Sequence, residues 1–567
     1  MTTTSDNFNQ NLQNWLKWDK TDAEKIKKLP PEQLKQMFQD NKRISFGTAG
    51  LRAKMAPGPK CMNDLTVIQT TQGLIQYAEK IFSPATLTDQ GIVVSYDARH
   101  NSKDWAAMIS NICRYKQIMC YTFNTITPTP FVPFAVRNLK ACLGIMITAS
   151  HNPKSDNGYK VYWQDGAHIV PPHDKNVAKM IGNHLRPWND KYCYDKNFHF
   201  DDDHDMVEDV YEWIWKQYFK QLSKLRTLHS TINFKLKIVY TPVHGVGLEA
   251  CQYAIKNVFG FKNFHAVPCQ SQPDPEFSTV SKCPNPEEGY KVLKYAFEYA
   301  DEIGADLVLA SDPDADRLAV AQRCLANKEE DWRIFSGNEC GAILGYWALQ
   351  RWKEKNPDPN TKPSNCYMLS STYSSMILKT MAKMENFNFE DTLAGFKFIG
   401  NRTAELVKNN KQVLFAFEEA IGYMFSDTLA FDKDGVSAAG VFAELVAYLD
   451  SKNMKLEDYL DVIYQKYGYH LGKTNYFICD EENNNGNNNF DQKIEVMFEN
   501  IRSFYEKNSK LGDFEISAVR DLKRGYDSRE EGNVCKIERQ NSHLVTFYFE
   551  NGATIWVGWK SKLFFFL

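Results

Sequence analysis

The chain has no basic excess, no cysteine spacing of the metal-binding kind and no long apolar run, and each absence removes a class of function. Lysine and arginine number 67 against 70 aspartates and glutamates, a formal charge of -3. Nucleic-acid binders ordinarily carry a basic surplus, so no nucleic-acid partner is expected. An anionic ligand must be gripped by local cations and backbone N–H groups, not by the global field. The 13 cysteines show no C-x-x-C pair, which fits small core residues in a reducing compartment. No stretch approaches the roughly 18 to 20 apolar residues of a membrane span. The polar start M-T-T-T-S-D-N-F-N-Q lacks the apolar core of a signal peptide. A cytoplasmic chain without a membrane partner is the expectation.

What is present is the grammar of α/β domains. At 567 residues the chain is too long for one core. Asp64 to Phe82 carries apolar residues near helical spacing, with Asp64 able to cap its start. Gly91–Tyr96 is a short apolar run of buried-strand type, followed by a helical stretch from about Asp104 to Tyr115. Further runs follow at Ile118–Phe123 and Cys142–Ile147, and the same plan returns at Leu236–Tyr240, Ala305–Ala310 and Val413–Phe417. Strands alternating with helices predict mostly parallel sheets, whose ligands sit beyond the carboxyl ends of the strands. Joints are read near Asp201–Asp205, Asn327–Asp331 and Asp450–Glu457, and Asn483–Asn489 is a low-complexity, functionally neutral loop. The last part reads as a separate α+β lobe with a long helix near Phe490–Tyr505.

Five loops carry chemistry. Asp312, Asp314 and Asp316 alternate in D-P-D-A-D-R straight after an apolar run. Three crowded carboxylates repel unless a cation joins them, and hard oxygen ligands suit Mg²⁺. An EF-hand is excluded, because Arg317 stands where that loop needs Gly and Arg323 where it needs Glu. In T-A-S-H-N-P, Ser150 offers a hydroxyl at a strand end, with His151 or Lys160 able to handle its proton. Alone, that serine reads as a turn residue beside Asn-Pro. The loop F-G-T-A-G-L-R lets backbone approach an anion, with Arg52 as a phosphate clamp. In F-E-E-A-I-G, Glu418 and Glu419 can accept from vicinal hydroxyls; in G-F-K-F-I-G-N-R, Lys397 and Arg402 are candidate phosphate contacts.

Taken in order, from Phe46 to about Gly552, these loops resemble the α-D-phosphohexomutase superfamily, nearest its eukaryotic phosphopentomutase/phosphoglucomutase branch. Supporting strings include I-M-I-T-A-S-H-N-P-K, D-P-D-A-D-R-L-A-V-A and L-F-A-F-E-E-A-I-G-Y-M. The resemblance implies three similar mixed-sheet α/β domains (1–210, 211–333, 334–455) and a smaller C-terminal α+β lobe (456–567) around a central cleft. It also implies roles. Ser150 carries the phosphoryl group; the three aspartates with a seryl phosphate oxygen hold Mg²⁺. Arg52, His151 and Lys160 assist transfer, and Arg317, Lys397, Arg402, Glu418 and Glu419 contact the phosphosugar. A sugar bisphosphate of the glucose 1,6-bisphosphate type is the implied activator, and a monomer is expected. Weak phosphosugar binding and bisphosphate synthesis are the alternatives.

One departure stands out. The family's fourth domain ends in a phosphate-clamping loop of the type R-T-S-G-T-E-P-K, whereas here W-V-G-W-K-S-K-L-F-F-F-L runs to Leu567. The expectation is an incomplete phosphate-binding lobe from a truncated or frameshifted gene, with Leu563–Leu567 an unprotected apolar tail.

Overall fold

The apolar runs lie at the centres of three mixed sheets. A computed structural model describes residues 4–38, 42–47, 50–200, 206–227, 234–324, 332–358, 361–425, 429–473, 475–478, 490–537, 543–560 and 563–566. The joints read at Asp201–Asp205 and Asn327–Asp331, and the loop Asn483–Asn489, lie outside these residues. The chain divides into two compact units, residues 1–468 and 469–567.

In the first sheet the strands order as Leu51–Lys54, Asp156–Trp163, Leu143–Ile147, Ile92–Tyr96, Cys120–Thr122 and Val207–Asp209. The last four run parallel, and Asp156–Trp163 is antiparallel to both its neighbours. Parallel strands need crossovers, and the helices Ser102–Tyr115 and Phe131–Leu139 supply them. The helix Asp64–Phe82 forms as its spacing predicts, but Asn63 caps it: the Asn63 side chain accepts from Thr66 N–H. Asp64 instead accepts from the Trp105 indole at 2.7 Å, because a buried indole N–H needs a partner more than an already capped helix does.

The second sheet orders as Trp332–Phe335, Leu318–Arg323, Leu307–Ser311, Ile238–Thr241 and Phe264–Ala266; the third as Asn388–Thr392, Cys366–Ser371, Gln412–Glu418 and Gly422–Phe425. One apolar core runs continuously from Val93 and Phe134 through Tyr240 and Leu309 to Phe415 and Phe442. The three layers are therefore braced against one another by buried surface and not merely tethered. Leu456–Tyr467, expected in the fourth lobe, is a helix whose Leu456, Leu460 and Ile463 join that same core beside Trp347 and Met381. Its apolar stripe draws it into the first unit, and the division falls after Gly468.

The second unit is an antiparallel sheet ordered Asn475–Ile478, Leu563–Phe566, Thr554–Lys560, Leu544–Phe549, Phe514–Asp521 and Lys510–Leu511, with Tyr526–Asp527 paired off Phe514–Asp521. The helix Phe490–Lys507 packs Ile494 and Phe498 onto Val519, Val545 and Phe547. Leu563–Phe566, expected as an unprotected tail, is an internal strand paired on both sides. Among the described residues no helix is long and apolar enough to cross a membrane.

Candidate active site

Ser150 sits in the loop after the strand Leu143–Ile147, and the aspartates in the loop after Leu307–Ser311, so both lie at carboxyl ends of central strands. Ser150 adopts φ +54° and Ala315 φ +58°. A non-glycine residue held there costs about 1–3 kcal/mol, a strain typical of functional loops. At Ala315 the reversal turns alternate residues toward one point: carboxylate oxygens of Asp312, Asp314 and Asp316 lie within 4.8 Å of one another, all fully buried.

The two loops meet. Ser150 Oγ donates to Asp312 Oδ2 at 2.7 Å and lies 3.2 Å from His151 Nδ1. Lys160, fully buried on the neighbouring strand, donates to Asp314 Oδ2 at 2.6 Å and Asp316 Oδ2 at 2.7 Å. Thr129 Oγ1 donates to Asp314 Oδ2 at 2.6 Å. The Arg317 amide donates to Asp312 Oδ1 at 3.1 Å, while its guanidinium lies between Asp316, at 3.8 Å, and Glu418, at 4.0 Å. Asp314 Oδ1 and Asp316 Oδ1 are buried and accept no hydrogen bond. Such orphaned acceptors are costly, and they are the lone pairs a hard cation takes. The trio fits a metal ion.

Electrostatics separate the three carboxyls. Burial, with Asp314 and Asp316 alongside, pushes Asp312 well above the usual carboxylate range. Burial opposes ionisation of Asp316 too, but Lys160, Lys433 and Arg317 outweigh it and hold that carboxyl well below. His151 is pushed well below its ordinary value by desolvation and by Arg317 and Arg52, so the imidazole stays neutral.

Lys433 was not legible from the sequence. Its Nζ lies 3.0 Å from Asp316 Oδ2 and 3.6 Å from Asp432 Oδ1. Asp432 in turn pairs with His168 at 3.1 Å and accepts from Tyr162 at 2.8 Å. The available signal was the run D-K-D-G at Asp432–Gly435, which ends where the helix Gly435–Asp450 begins. A Cβ on Gly435 would stand 2.5 Å from Arg317 O and 2.8 Å from Ala315 O. Gly435→Ala is expected to cost about 1–3 kcal/mol in urea unfolding, because the metal loop's own backbone blocks the methyl.

Of the remaining expected site residues, Arg52 donates to Asn152 Oδ1 at 3.3 Å, beside the serine loop. Lys397 Nζ lies 3.4 Å from Gly47 O, which brings it to the F-G-T-A-G-L-R loop; Thr48 and Ala49 of that loop lie outside the described residues. Glu419 accepts from Ser371 Oγ at 2.6 Å and Ser374 Oγ at 3.2 Å. Arg402 differs from its expected role. Its guanidinium is bidentate to Glu390 at 2.6 and 2.9 Å and pairs with Glu405 at 2.6 Å. Two carboxylates already satisfy its fork and would repel a phosphate. Arg402→Ala should therefore leave KM for a sugar phosphate within about twofold and cost at most about 1 kcal/mol of stability.

Profiles of the phosphoglucomutase/phosphomannomutase family match in three parts: alpha/beta/alpha domain I over residues 43–186, domain II over 216–325 and domain III over 336–467. Human phosphopentomutase is 47% identical over 564 residues, covering 96% of this chain and 88% of that protein. Human glucose 1,6-bisphosphate synthase is 44% identical over 555 residues, covering 95% and 86%. The Paramecium phosphoglucomutase pp63/parafusin, in its open form, shares the fold with a TM-score of 0.60 at 16% identity, covering 93% and 90%. With three domain profiles of one family spanning most of the chain and a relative 47% identical over nearly all of it, the chain belongs to the α-D-phosphohexomutase superfamily, whose phosphopentomutase and phosphoglucomutase branches are isomerases.

Proposed function

We propose that the protein is a phosphosugar mutase that moves a phosphoryl group between the 1- and 5-positions of ribose and deoxyribose phosphates, with glucose phosphates as secondary substrates. The observation that carries it is the 2.7 Å contact from Ser150 Oγ to the aspartate trio. The pentose preference is supported by the relatives named phosphopentomutase and by F-E-E-A-I-G, which departs from the Glu-Glu-Ser loop of the glucose-specific branch. The twelve described cysteines are all free thiols, which suits a reducing cytosol.

In the first half-reaction an oxygen of the substrate's free hydroxyl bonds to phosphorus as the P–Oγ bond at Ser150 breaks. The hydroxyl's proton is lost and Ser150 Oγ ends protonated, donating to Asp312. His151, neutral and 3.2 Å from Oγ, is placed to relay that proton. The bisphosphate formed turns in the cleft, and its other phosphate returns to Ser150 by the reverse exchange. Arg317, positioned against Glu418, can ride between phosphate and sugar contacts. Asp312, Asp314 and Asp316, with an oxygen of phosphorylated Ser150, would hold Mg²⁺. Bound there, the ion withdraws negative charge from the phosphoryl group.

Coupled assays on ribose 1-phosphate and glucose 1-phosphate test the reading, with turnover expected to favour the pentose. Negligible turnover of both would refute it. A glucose 1,6-bisphosphate synthase is the second reading, favoured by the 44% identical relative. It predicts net bisphosphate accumulation from a non-sugar phosphoryl donor, with mutase turnover a minor activity.

A further inference from the structure

The loop that carries Ser150 is wrapped around a single cation that contacts no part of the metal trio in hydrogen bonding. Arg99, in the turn after the strand Ile92–Tyr96, is buried and spends four guanidinium contacts on that loop. Its Nη2 donates to Ser150 O and Asn152 O, both at 2.6 Å; its Nη1 donates to Pro153 O at 2.9 Å and Asp156 O at 3.0 Å. Four carbonyl dipoles converging on one point repel without a positive centre, and only a planar five-donor fork serves them together. Asp97 steadies the fork, with Oδ2 3.4 Å from Arg99 Nε and Oδ1 accepting from Arg99 N at 3.0 Å.

The other face of the guanidinium is closed by the second domain. The Phe277 ring lies 4.9 Å from it, buried at 4% exposure in a turn with φ +47°. The Asp274 carboxylate holds that turn by accepting from Glu276 N at 2.9 Å and Ser278 N at 3.0 Å. Alongside, Glu276 takes Lys154 at 2.7 Å and His100 at 2.6 Å, both from the first domain. The brace therefore joins the domain bearing the serine to the domain bearing the aspartates.

From this arrangement we infer that Arg99, braced by Phe277, is a positioning residue: it sets the backbone of residues 150–156 so that Ser150 Oγ meets the aspartate trio. The inference rests on the phosphosugar mutase reading. It explains how a strained serine keeps its place while the bisphosphate turns, since the fork's Nη donors are spent on the loop's own carbonyls.

The test is single-turnover phosphorylation of the full chain by glucose 1,6-bisphosphate, followed by intact mass, beside steady-state kcat and KM for ribose 1-phosphate. Arg99→Lys replaces the fork with a point charge, and misplacement by a fraction of an ångström to 1 Å should slow phosphorylation and kcat together by about 10²-fold. KM should stay within about threefold, because the Arg99 Nη donors are spent on loop carbonyls. Phe277→Leu, which keeps apolar bulk and loses the ring face, should give a smaller loss of the same kind. Rates are normalised to folded protein. A purely structural role would lower the folded fraction and the melting temperature while leaving the rate per folded molecule unchanged, and that result overturns the inference. Should Arg99→Lys fail to fold, Phe277→Leu decides by the same criterion. A wild-type protein that takes no phosphate overturns both the inference and the mutase reading, whereas a normal wild type with an unaffected variant overturns the inference alone.

Discussion

Ser150→Ala is expected to abolish both phosphoenzyme formation and mutase turnover, with kcat falling by on the order of 10⁴- to 10⁶-fold. Oγ is the atom that joins the two loops, donating at 2.7 Å to Asp312, and no neighbouring hydroxyl replaces it. Thr148 Oγ1 accepts from Ser150 N at 2.8 Å and is thereby committed to shaping the turn. The backbone at φ +54° is already unfavourable for any side chain with a Cβ, so alanine inherits the strain and adds none. Stability should thus change by less than about 1 kcal/mol while activity disappears. Intact mass after incubation with a sugar bisphosphate reads the result: one added phosphoryl group on the wild type, none on the variant. Phosphorylation of Ser150→Ala at the wild-type level would move the acceptor to another residue.

The second large effect belongs to Asp312→Asn. The amide keeps the shape of the carboxyl: its oxygen can still accept from Arg317 N, and its nitrogen can meet Ser150 Oγ as a donor. What is removed is one of three crowded charges, and the one that burial and its neighbours make hardest to maintain. Two consequences of opposite sign follow. Turnover at saturating Mg²⁺ should fall about 10³-fold, because a hard cation loses an anionic ligand. Stability in chelator should rise by about 1 kcal/mol, because the like-charge repulsion among buried carboxylates is relieved. The rise in melting temperature on adding Mg²⁺ should shrink as well. Thermal melts with chelator and with Mg²⁺, beside coupled assays, separate these effects. Equal stabilisation of wild type and variant by Mg²⁺ would take the ion away from this trio.

The motifs and their chemistry were legible where residue type alone limits the options. D-P-D-A-D-R after a buried strand has few readings besides a cation site, and the structure brings its three carboxylates within 4.8 Å. Lys160 was readable as a partner of the serine, yet its contacts are to Asp314 and Asp316, 154 and 156 residues away in the chain. Spacing along a strand could not announce that. Arg402 shows the converse: a cation in a glycine-flanked loop reads as a phosphate contact, but Glu390 on an adjacent strand occupies its fork. Lys433 and Arg99 escaped because a single basic residue in a loop has no pattern, and their partners are backbone carbonyls or a carboxylate in another domain.

By itself the sequence determined the α/β grammar, the serine, the aspartate trio and the family, because alternating apolar runs and contiguous motifs are local properties of the chain. Only the tertiary structure decided which cations balance which carboxylates, why Ser150 points at Asp312, that Leu456–Tyr467 belongs to the first unit, and that Leu563–Phe566 is an internal strand. Those outcomes depend on which charged and apolar groups are desolvated together. Desolvation is set by packing among distant segments, and no window along the chain contains it.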